Sequence, residues 1–402
     1  MSPRRVLAVL AAAELCGMAP WFSASAVAPT LARLWRLGAA DAAWLTISVQ
    51  LGFVAGALVS ALLTLSDRWS ARRLFAASAA IAAAATLGVA FAPGPAGGIA
   101  LRMLTGAALA GVYPPGMKIA AGWFREGRGL AIGTLVGALT LGSAFPHLVR
   151  WAVPAAQWRP VLAVAAAAAL AGGALVLLVP HDGPFAAPAP RFSWRAAPRI
   201  LGDRAMSLAN LGYLGHMWEL YAMWTWMAAF VAASEQVRSG GDPVASGVPA
   251  LVTFAVIGSG AVGCWLGGRY ADRWGRTLVT SVAMAISGSC ALSVGALFAR
   301  SLVLLGPLLL VWGVAVVADS AQFSAAVSEL APRDLVGTAL TLQTSLGFLL
   351  TCFTIYLLPW FAARVGWQWS MSLLALGPAG GVCAMLALRR RPEAQRLAGG
   401  RG

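Results

Sequence analysis

Charged side chains are scarce in this sequence. Asp, Glu, Lys and Arg make up 11% of its 402 residues, whereas hydrophobic residues make up 59%. Soluble proteins carry about 25% charged residues, so the composition excludes a soluble globular chain. A transmembrane helix needs about 20 mostly apolar residues, and twelve segments meet that requirement. They lie at approximately 6–31, 42–65, 74–92, 97–118, 129–151, 158–180, 205–233, 248–268, 277–299, 302–326, 335–360 and 366–388.

These apolar segments are too long and too uniformly apolar to be strands of a transmembrane barrel. Helices satisfy their own backbone hydrogen bonds, which lipid cannot do. We therefore predict an all-α integral membrane protein with twelve transmembrane helices.

Histidine is rare, and no cysteine pair has the spacing of a metal or redox site. The three His and five Cys residues are dispersed, with no HExxH sequence and no CxxC spacing. An enzyme inside the membrane would need a nucleophile with a base or a metal cluster. We therefore expect no enzymatic activity, no metal site and no cofactor.

Acidic residues are about half as common as basic ones, and the net charge is +15. Such a charge could indicate nucleic-acid binding, but its distribution favours a membrane. If the N-terminus is cytoplasmic and the spans alternate, most of the Lys and Arg residues fall on the inner side, as in other membrane proteins. The basic tail at Arg389-Arg390-Arg391 suits an anionic inner leaflet. We expect both termini in the cytoplasm and no nucleic-acid partner.

Two stretches recur at one constant separation. Residues 14–21 recur as 219–226, with Glu, Leu, Met and Trp in the same places. Asp67-Arg68-Trp69 recurs as Asp272-Arg273-Trp274, also 205 residues later. The constant separation predicts two related halves of six spans each.

The repeat also predicts the division of the chain. The first half covers residues 1–180 and the second half covers 205–388. The Pro- and Arg-containing segment 181–204 is the expected cytoplasmic linker, and 389–402 is the basic cytoplasmic tail.

The second loop motif carries a family resemblance. Gly268, Asp272, Arg273, Gly275 and Arg276 follow the pattern GxxxDRxGR. Together with twelve spans in two repeats, this motif resembles the major facilitator superfamily of secondary transporters, and loosely its bacterial nitrate, nitrite and cyanate porter-like members. The resemblance implies a monomer in the bacterial cytoplasmic membrane, with a central cavity lined mainly by spans 1, 4, 7 and 10.

Buried ionisable residues fall on these cavity spans. Glu14 lies in span 1, His216 and Glu219 in span 7, and Asp319 in span 10. A charged group at the bilayer centre costs about 2.5–3.5 kcal/mol, so such groups usually have a partner or face a wet cavity. We predict that the four residues couple transport to protons and that the two Glu residues face each other across the pseudo-two-fold axis. The alternative is that each acid is a structural hydrogen-bond partner for a neighbouring helix.

Seven further residues are predicted to contact the substrate. Arg102 in span 4 could bind an oxyanion, or it could form a permanent ion pair with Glu14 or another acid. The tryptophans could stack on a ligand or could simply pack between helices. The predicted set is Arg102, Tyr113, Tyr221, Gln322, Trp226, Trp21 and Gln50.

The two DRW loops are predicted to act as cytoplasmic latches, because an acid near a helix start can bind across the interface between the halves. The predicted gating residues are Asp272, Arg273, Gly268, Gly275, Arg276, Asp67 and Arg68.

The resemblance and these residues indicate proton-coupled secondary transport of a small polar solute by alternating access. A small organic anion is slightly favoured because of Arg102 and Lys118. Efflux of an amphipathic compound is the main alternative, and a channel or a non-transporting sensor on the same scaffold stays open. The expected partners are the solute, protons and the lipid bilayer.

Overall fold

A computed structural model describes residues 1–124, 128–154, 156–186, 192–240 and 246–402. Within these ranges the regular secondary structure is helical and contains no strand.

The first half contains spans 1 to 6. Span 1 consists of α1 (Pro3–Met18), α2 (Ser23–Ala26) and α3 (Ala28–Trp35), and span 2 is α4 (Ala39–Leu62), which the short α5 (Leu65–Arg68) follows. Span 3 is α6 (Ala71–Val89), and span 4 consists of α7 (Pro95–Leu109) and α8 (Tyr113–Trp123). Span 5 is α9 (Arg128–Ala152), and span 6 is α10 (Arg159–Leu177).

The second half follows the short α11 (Ala197–Gly202), which lies in the predicted linker. Span 7 is α12 (Arg204–Ser239), span 8 is α13 (Val248–Trp274), and span 9 is α14 (Arg276–Ser293). Span 10 consists of α15 (Leu302–Ala318) and α16 (Ser320–Leu330). Span 11 is the first part of α17 (Val336–Ser370), and span 12 consists of the end of α17 together with α18 (Leu376–Arg389).

Nine helical stretches of the described chain are long and apolar enough to cross a membrane. One of them, Val336–Arg389, contains both span 11 and span 12, because the backbone turns at Gly366, whose φ of 79° is in the left-handed region. Span 1 and span 7 are not among the nine. Span 1 is interrupted after Met18, and span 7 carries several polar residues. With these two, the helices account for the twelve predicted spans.

Spans 4 and 10 are interrupted at matching places in the two halves. Span 4 breaks between Leu109 and Tyr113, where two prolines follow that cannot donate a helical hydrogen bond. Span 10 breaks at Asp319. In transporters, discontinuous helices of this kind mark the solute and ion site near the middle of the bilayer.

Spans 5 and 8 form an antiparallel contact between the two halves. At its inner end a Cβ on Gly268 would lie 3.5 Å from the carbonyl oxygen of Gly129. At its outer end a Cβ on Gly247 would lie 3.2 Å from the ring of Trp151. Gly133, between these ends, faces the carbonyl oxygen of Cys264. Small residues let the two backbones approach closely over most of the membrane thickness.

Spans 2 and 4 pack even more closely. A Cβ on Gly106 would overlap the carbonyl oxygen of Val49. We expect Gly106→Ala to destabilise the protein by about 1–3 kcal/mol, the usual cost of overpacking, and to lower the midpoint of thermal unfolding in detergent. Gly306→Ala is the matched control, because no atom lies within 4 Å of its added Cβ. Equal midpoints for the two variants would contradict this description of the packing.

Candidate functional site

His216 and Asp319 are paired in the interior of the second half. The imidazole Nδ1 lies 2.9 Å from a carboxylate oxygen of Asp319, and each side chain is 1% exposed. The rings of Phe323 and Tyr213 lie 5.6 Å and 6.2 Å from the imidazole ring and close the site on the side of spans 7 and 10. Nε2 of His216 and the Asp319 oxygen that approaches Nδ1 are both buried without a hydrogen-bond partner of good geometry among the described residues, so the pair is a close charge contact rather than an aligned hydrogen bond. This pair, located at the break in span 10, joins two of the predicted proton-coupling residues.

Glu219 is held within its own half. Its carboxylate accepts hydrogen bonds from the Ser287 hydroxyl and the Trp312 indole N–H, each at 2.7 Å. These contacts tie span 7 to spans 9 and 10. Ser287 and Trp312 were not predicted from the sequence, because a lone serine or tryptophan in an apolar span gives no sign of its partner.

Glu14 also lies within its own half. Its carboxylate is buried against Gly116 of span 4, where a Cβ would overlap Oε2. Neither oxygen has a hydrogen-bond partner in the described part of the chain. The prediction that Glu14 and Glu219 face each other across the pseudo-two-fold axis is therefore wrong, because each carboxylate points between helices of its own half.

Aromatic rings from both halves meet one to two turns beyond His216 along span 7. The Trp21 ring lies 5.0 Å from Phe53, 5.8 Å from Tyr221 and 5.6 Å from Phe348, and the Phe53 and Phe348 rings are 4.6 Å apart. The first two residues belong to the first half and the others to the second half. We call these four residues the aromatic cluster. It includes two predicted substrate contacts, Trp21 and Tyr221.

Unpaired polar groups lie on the same spans as the aromatic cluster. The indole N–H of Trp21 and both amide atoms of Gln50 are buried without hydrogen-bond partners among the described residues. Gln50 is one helical turn from Phe53 in span 2. Tyr113 begins α8 at the break in span 4. Buried polar groups in proteins almost always have partners, so these side chains are available to a bound solute or to water.

Arg102 has a structural role instead of the predicted contact with substrate. Its guanidinium donates to the carbonyl oxygens of Pro20 at 2.7 Å and Leu45 at 3.2 Å, and also to the carbonyl oxygen of Trp21 and the hydroxyl of Ser23. The Pro20 and Trp21 carbonyls are exposed by the break in span 1, and the Leu45 carbonyl belongs to span 2. The alternative ion pair with Glu14 is also wrong, since the contacts of Arg102 within the described chain are to backbone carbonyls and one hydroxyl.

Two other predicted substrate residues are committed to contacts inside the protein. The indole N–H of Trp226 donates to the carbonyl oxygen of Ile355 in span 11 at 2.9 Å, which is the packing alternative. The side-chain oxygen of Gln322 accepts from Arg276 at 2.7 Å. Gln322 therefore belongs with the predicted gating residues.

The second DRW loop forms a network at the cytoplasmic face. Arg276 donates to both carboxylate oxygens of Glu329, at 2.8 Å and 2.5 Å. The backbone N–H of Ala398 in the tail donates to the same carboxylate at 3.0 Å. Glu329 was missed in the sequence, because no motif links position 329 to position 276.

Asp272 reaches the other half. One of its carboxylate oxygens lies 3.0 Å from the position of a Cβ on Gly129, at the start of α9. Its other carboxylate oxygen lies 3.8 Å from Arg276, and its side chain is 61% exposed. Asp272 is therefore close to the N-terminal end of α9 in the other half, and its role as a latch stays a prediction. Gly275 completes the loop with a φ of 92°, a conformation that favours glycine, while Arg273 is exposed.

The first DRW loop is arranged differently. The side chain of Asp67 lies outside the described part of the structure, and Arg68 is exposed at the end of α5. Asp182, which follows span 6, accepts from the backbone N–H of Ala71 at 2.9 Å and lies 3.5 Å from the Arg72 guanidinium. A carboxylate at the start of the predicted linker therefore caps span 3.

The role assigned to Arg102 can be tested by its effect on stability. Arg102→Gln should destabilise the protein by about 1–3 kcal/mol, because it removes hydrogen-bond donors from buried carbonyl oxygens. Thermal unfolding in detergent measures this loss, and Arg300→Gln, at an exposed outer position, is the control. If Arg102→Gln keeps the normal midpoint but loses stabilisation by added solute, the predicted substrate contact is correct after all.

Comparisons with known proteins agree with this fold. The family model described as Major Facilitator Superfamily matches residues 10–355. The nucleoside transporter NupG shares 16% identity with a TM-score of 0.71, covering 96% of this chain and 100% of that chain. The human organic anion transporter MFSD10 (TETRAN) shares 17% identity with a TM-score of 0.70, covering 96% and 100%. The proton:xylose symporter XylE shares 15% identity with a TM-score of 0.70, covering 96% and 94%.

At these identities the solved structures are similar in fold alone, and no curated protein matches the chain by sequence. The family model, however, spans most of the chain. The twelve-span, two-half fold predicted from the sequence is confirmed, and the chain belongs to the Major Facilitator Superfamily.

Proposed function

We propose that this transporter moves a small polar solute by alternating access and that proton binding at His216 and Asp319 drives the cycle. The observation that carries this proposal is the buried pair at the break in span 10. Its location at a discontinuous helix is where transporters bind solutes and ions. One of the proteins with the same fold is described as a proton:xylose symporter, which is consistent with coupling.

Charge explains how the pair would couple protons to movement. With Asp319 ionised and His216 neutral, the pair carries one negative charge. Adding one proton makes the pair neutral overall. A net charge is costly in a water-excluded interior, so protonation lowers the cost of closing the cavity around the pair and shifts the equilibrium between its open and closed forms.

Glu14 is the second candidate for a proton-binding residue. It is buried and without a hydrogen-bond partner in the described chain. Glu219 differs, because two hydrogen bonds fix its carboxylate to spans 9 and 10. We therefore assign Glu219 to stability and place coupling on Asp319 with His216.

The residues available to the solute favour an uncharged molecule over an organic anion. The donors of Arg102, one of the two residues for which an anion was favoured, are occupied by backbone oxygens. Gln50 and the Trp21 N–H offer hydrogen bonds beside aromatic faces. The aromatic cluster also supports the second candidate function, efflux of an amphipathic compound.

We propose that the protein acts as a monomer in a bacterial cytoplasmic membrane.

We further propose that Asp272 is a latch that holds the cytoplasmic side closed. A carboxylate at a helix N-terminus contributes about 0.3–1 kcal/mol at an exposed site. Such a contact is weak enough to break in each cycle. The stronger bond between Arg276 and Glu329 stays within the second half and keeps the loop in place.

Coupling can be tested in proteoliposomes. A thermal-shift screen of sugars, nucleosides, organic acids and amphipathic amines first identifies a solute. Asp319→Asn should then abolish uptake driven by an imposed pH gradient, while gradient-free exchange of the solute continues, because the neutral side chain mimics the protonated acid. Glu219→Gln is the matched control: it should lower the unfolding midpoint but keep gradient-driven uptake. Loss of gradient-driven uptake in Glu219→Gln alone would move the coupling site to Glu219.

The latch predicts a change in accessibility. Asp272→Asn should increase alkylation of a cysteine introduced at Met117, in the inner part of span 4, because the closed cytoplasmic side loses its contact with α9. Asp334→Asn, which removes another exposed acid near the same face, should have no effect. Unchanged labelling and an unchanged transport rate in Asp272→Asn would exclude the latch.

A further inference from the structure

An apolar groove opens to the lipid between the two halves. Its volume is about 340 Å³, within the range of ligand sites in proteins. Spans 1 and 5 of the first half and span 8 of the second half form its walls. The residues that define it are Ala11, Ala12, Leu15, Gly137, Ala261 and Trp265. They lie in the cytoplasmic half of their spans, so the groove faces the acyl chains of the inner leaflet.

Three exposed arginines lie on spans 1 and 8, to the cytoplasmic side of the residues that line this groove. Arg269 is one helical turn below Trp265, with its guanidinium 5.7 Å from the centre of the indole ring. Arg4 and Arg5 precede Ala11 and Ala12 by seven residues, which is two turns along the same faces of α1. In the described structure, none of the three arginines pairs with an acid.

The charge and the apolar volume identify one kind of occupant. The cytoplasmic surface of a membrane carries anionic lipids, which exposed arginines near the surface attract. A guanidinium binds a phosphate with parallel hydrogen bonds. An acyl chain would fill the groove and pack against its apolar walls. The arginines are located at the level where the headgroup of that lipid would lie.

We propose that this groove binds an anionic phospholipid of the cytoplasmic leaflet, with an acyl chain between spans 1, 5 and 8 and the phosphate held by Arg269 together with Arg4 and Arg5. The lipid contacts both halves, so its affinity depends on how the halves are placed relative to each other. This site is separate from the solute site and does not depend on the identity of the solute.

Lipid titrations of the full-length protein in detergent test the site. Thermal unfolding is followed while phosphatidylglycerol or phosphatidylcholine is added. Phosphatidylglycerol should stabilise the protein at lower concentration. Arg269→Gln and the double change Arg4→Gln with Arg5→Gln should each weaken this effect by about fivefold or more. Arg204→Gln, an exposed inner arginine away from the groove, is the charge control.

A second pair of variants tests the acyl chain. Ala12 is exposed in the groove, so Ala12→Trp should fill it without a clash and remove the preference for added phosphatidylglycerol. Leu170→Trp, on the exposed surface of span 6, should leave the preference unchanged. Glycerol phosphate, added as a free headgroup, should not stabilise the protein.

Three results would overturn the proposal. The first is equal stabilisation by the two lipids. The second is loss of the preference in the arginine variants but not in Ala12→Trp, which would show that the headgroup binds without the groove. The third is stabilisation by glycerol phosphate to the same extent as by the lipid, which would indicate a simple phosphate site.

Discussion

Inside a bilayer every backbone N–H and C=O has to find its partner within the protein. This constraint makes the long spans helical and makes each interruption costly. The break in span 1 exposes the carbonyl oxygens of Pro20 and Trp21, and a buried guanidinium from span 4 binds both. The same guanidinium reaches Leu45 in span 2. One side chain thereby allows span 1 to bend and fixes three spans of the first half to one another.

The fold was largely predictable from the sequence because bilayer thickness sets the length of an apolar segment. Twelve spans, two halves and the GxxxDRxGR loop could all be found in this way. The partners of individual polar residues could not, because they depend on which helices are neighbours and how each is rotated. Glu219 illustrates this: its place in span 7 suggested a central site, whereas its rotation directs the carboxylate to Ser287 and Trp312. His216 and Asp319 were each predicted for coupling, but their contact with each other was not.

The two halves repeat in sequence but differ in the chemistry of their interiors. Glu219 has two hydrogen bonds, whereas its counterpart Glu14 is buried without one in the described chain. The position equivalent to His216 is Ala11, so the imidazole–carboxylate pair exists in one half only. The cytoplasmic loops differ as well. Asp182, at the start of the linker, caps span 3 of the first half, whereas Asp272 of the second half lies close to Gly129 of α9.

The glycine-rich contact between spans 5 and 8 restricts how the halves can move. It joins them from Gly129 and Gly268 at the inner end to Gly247 and Trp151 at the outer end. The halves also meet between spans 2 and 11, where the Phe53 and Phe348 rings lie 4.6 Å apart. If the halves move as proposed, the contact between spans 5 and 8 is the one best suited to stay closed, because its small residues keep the two backbones together from one face of the membrane to the other.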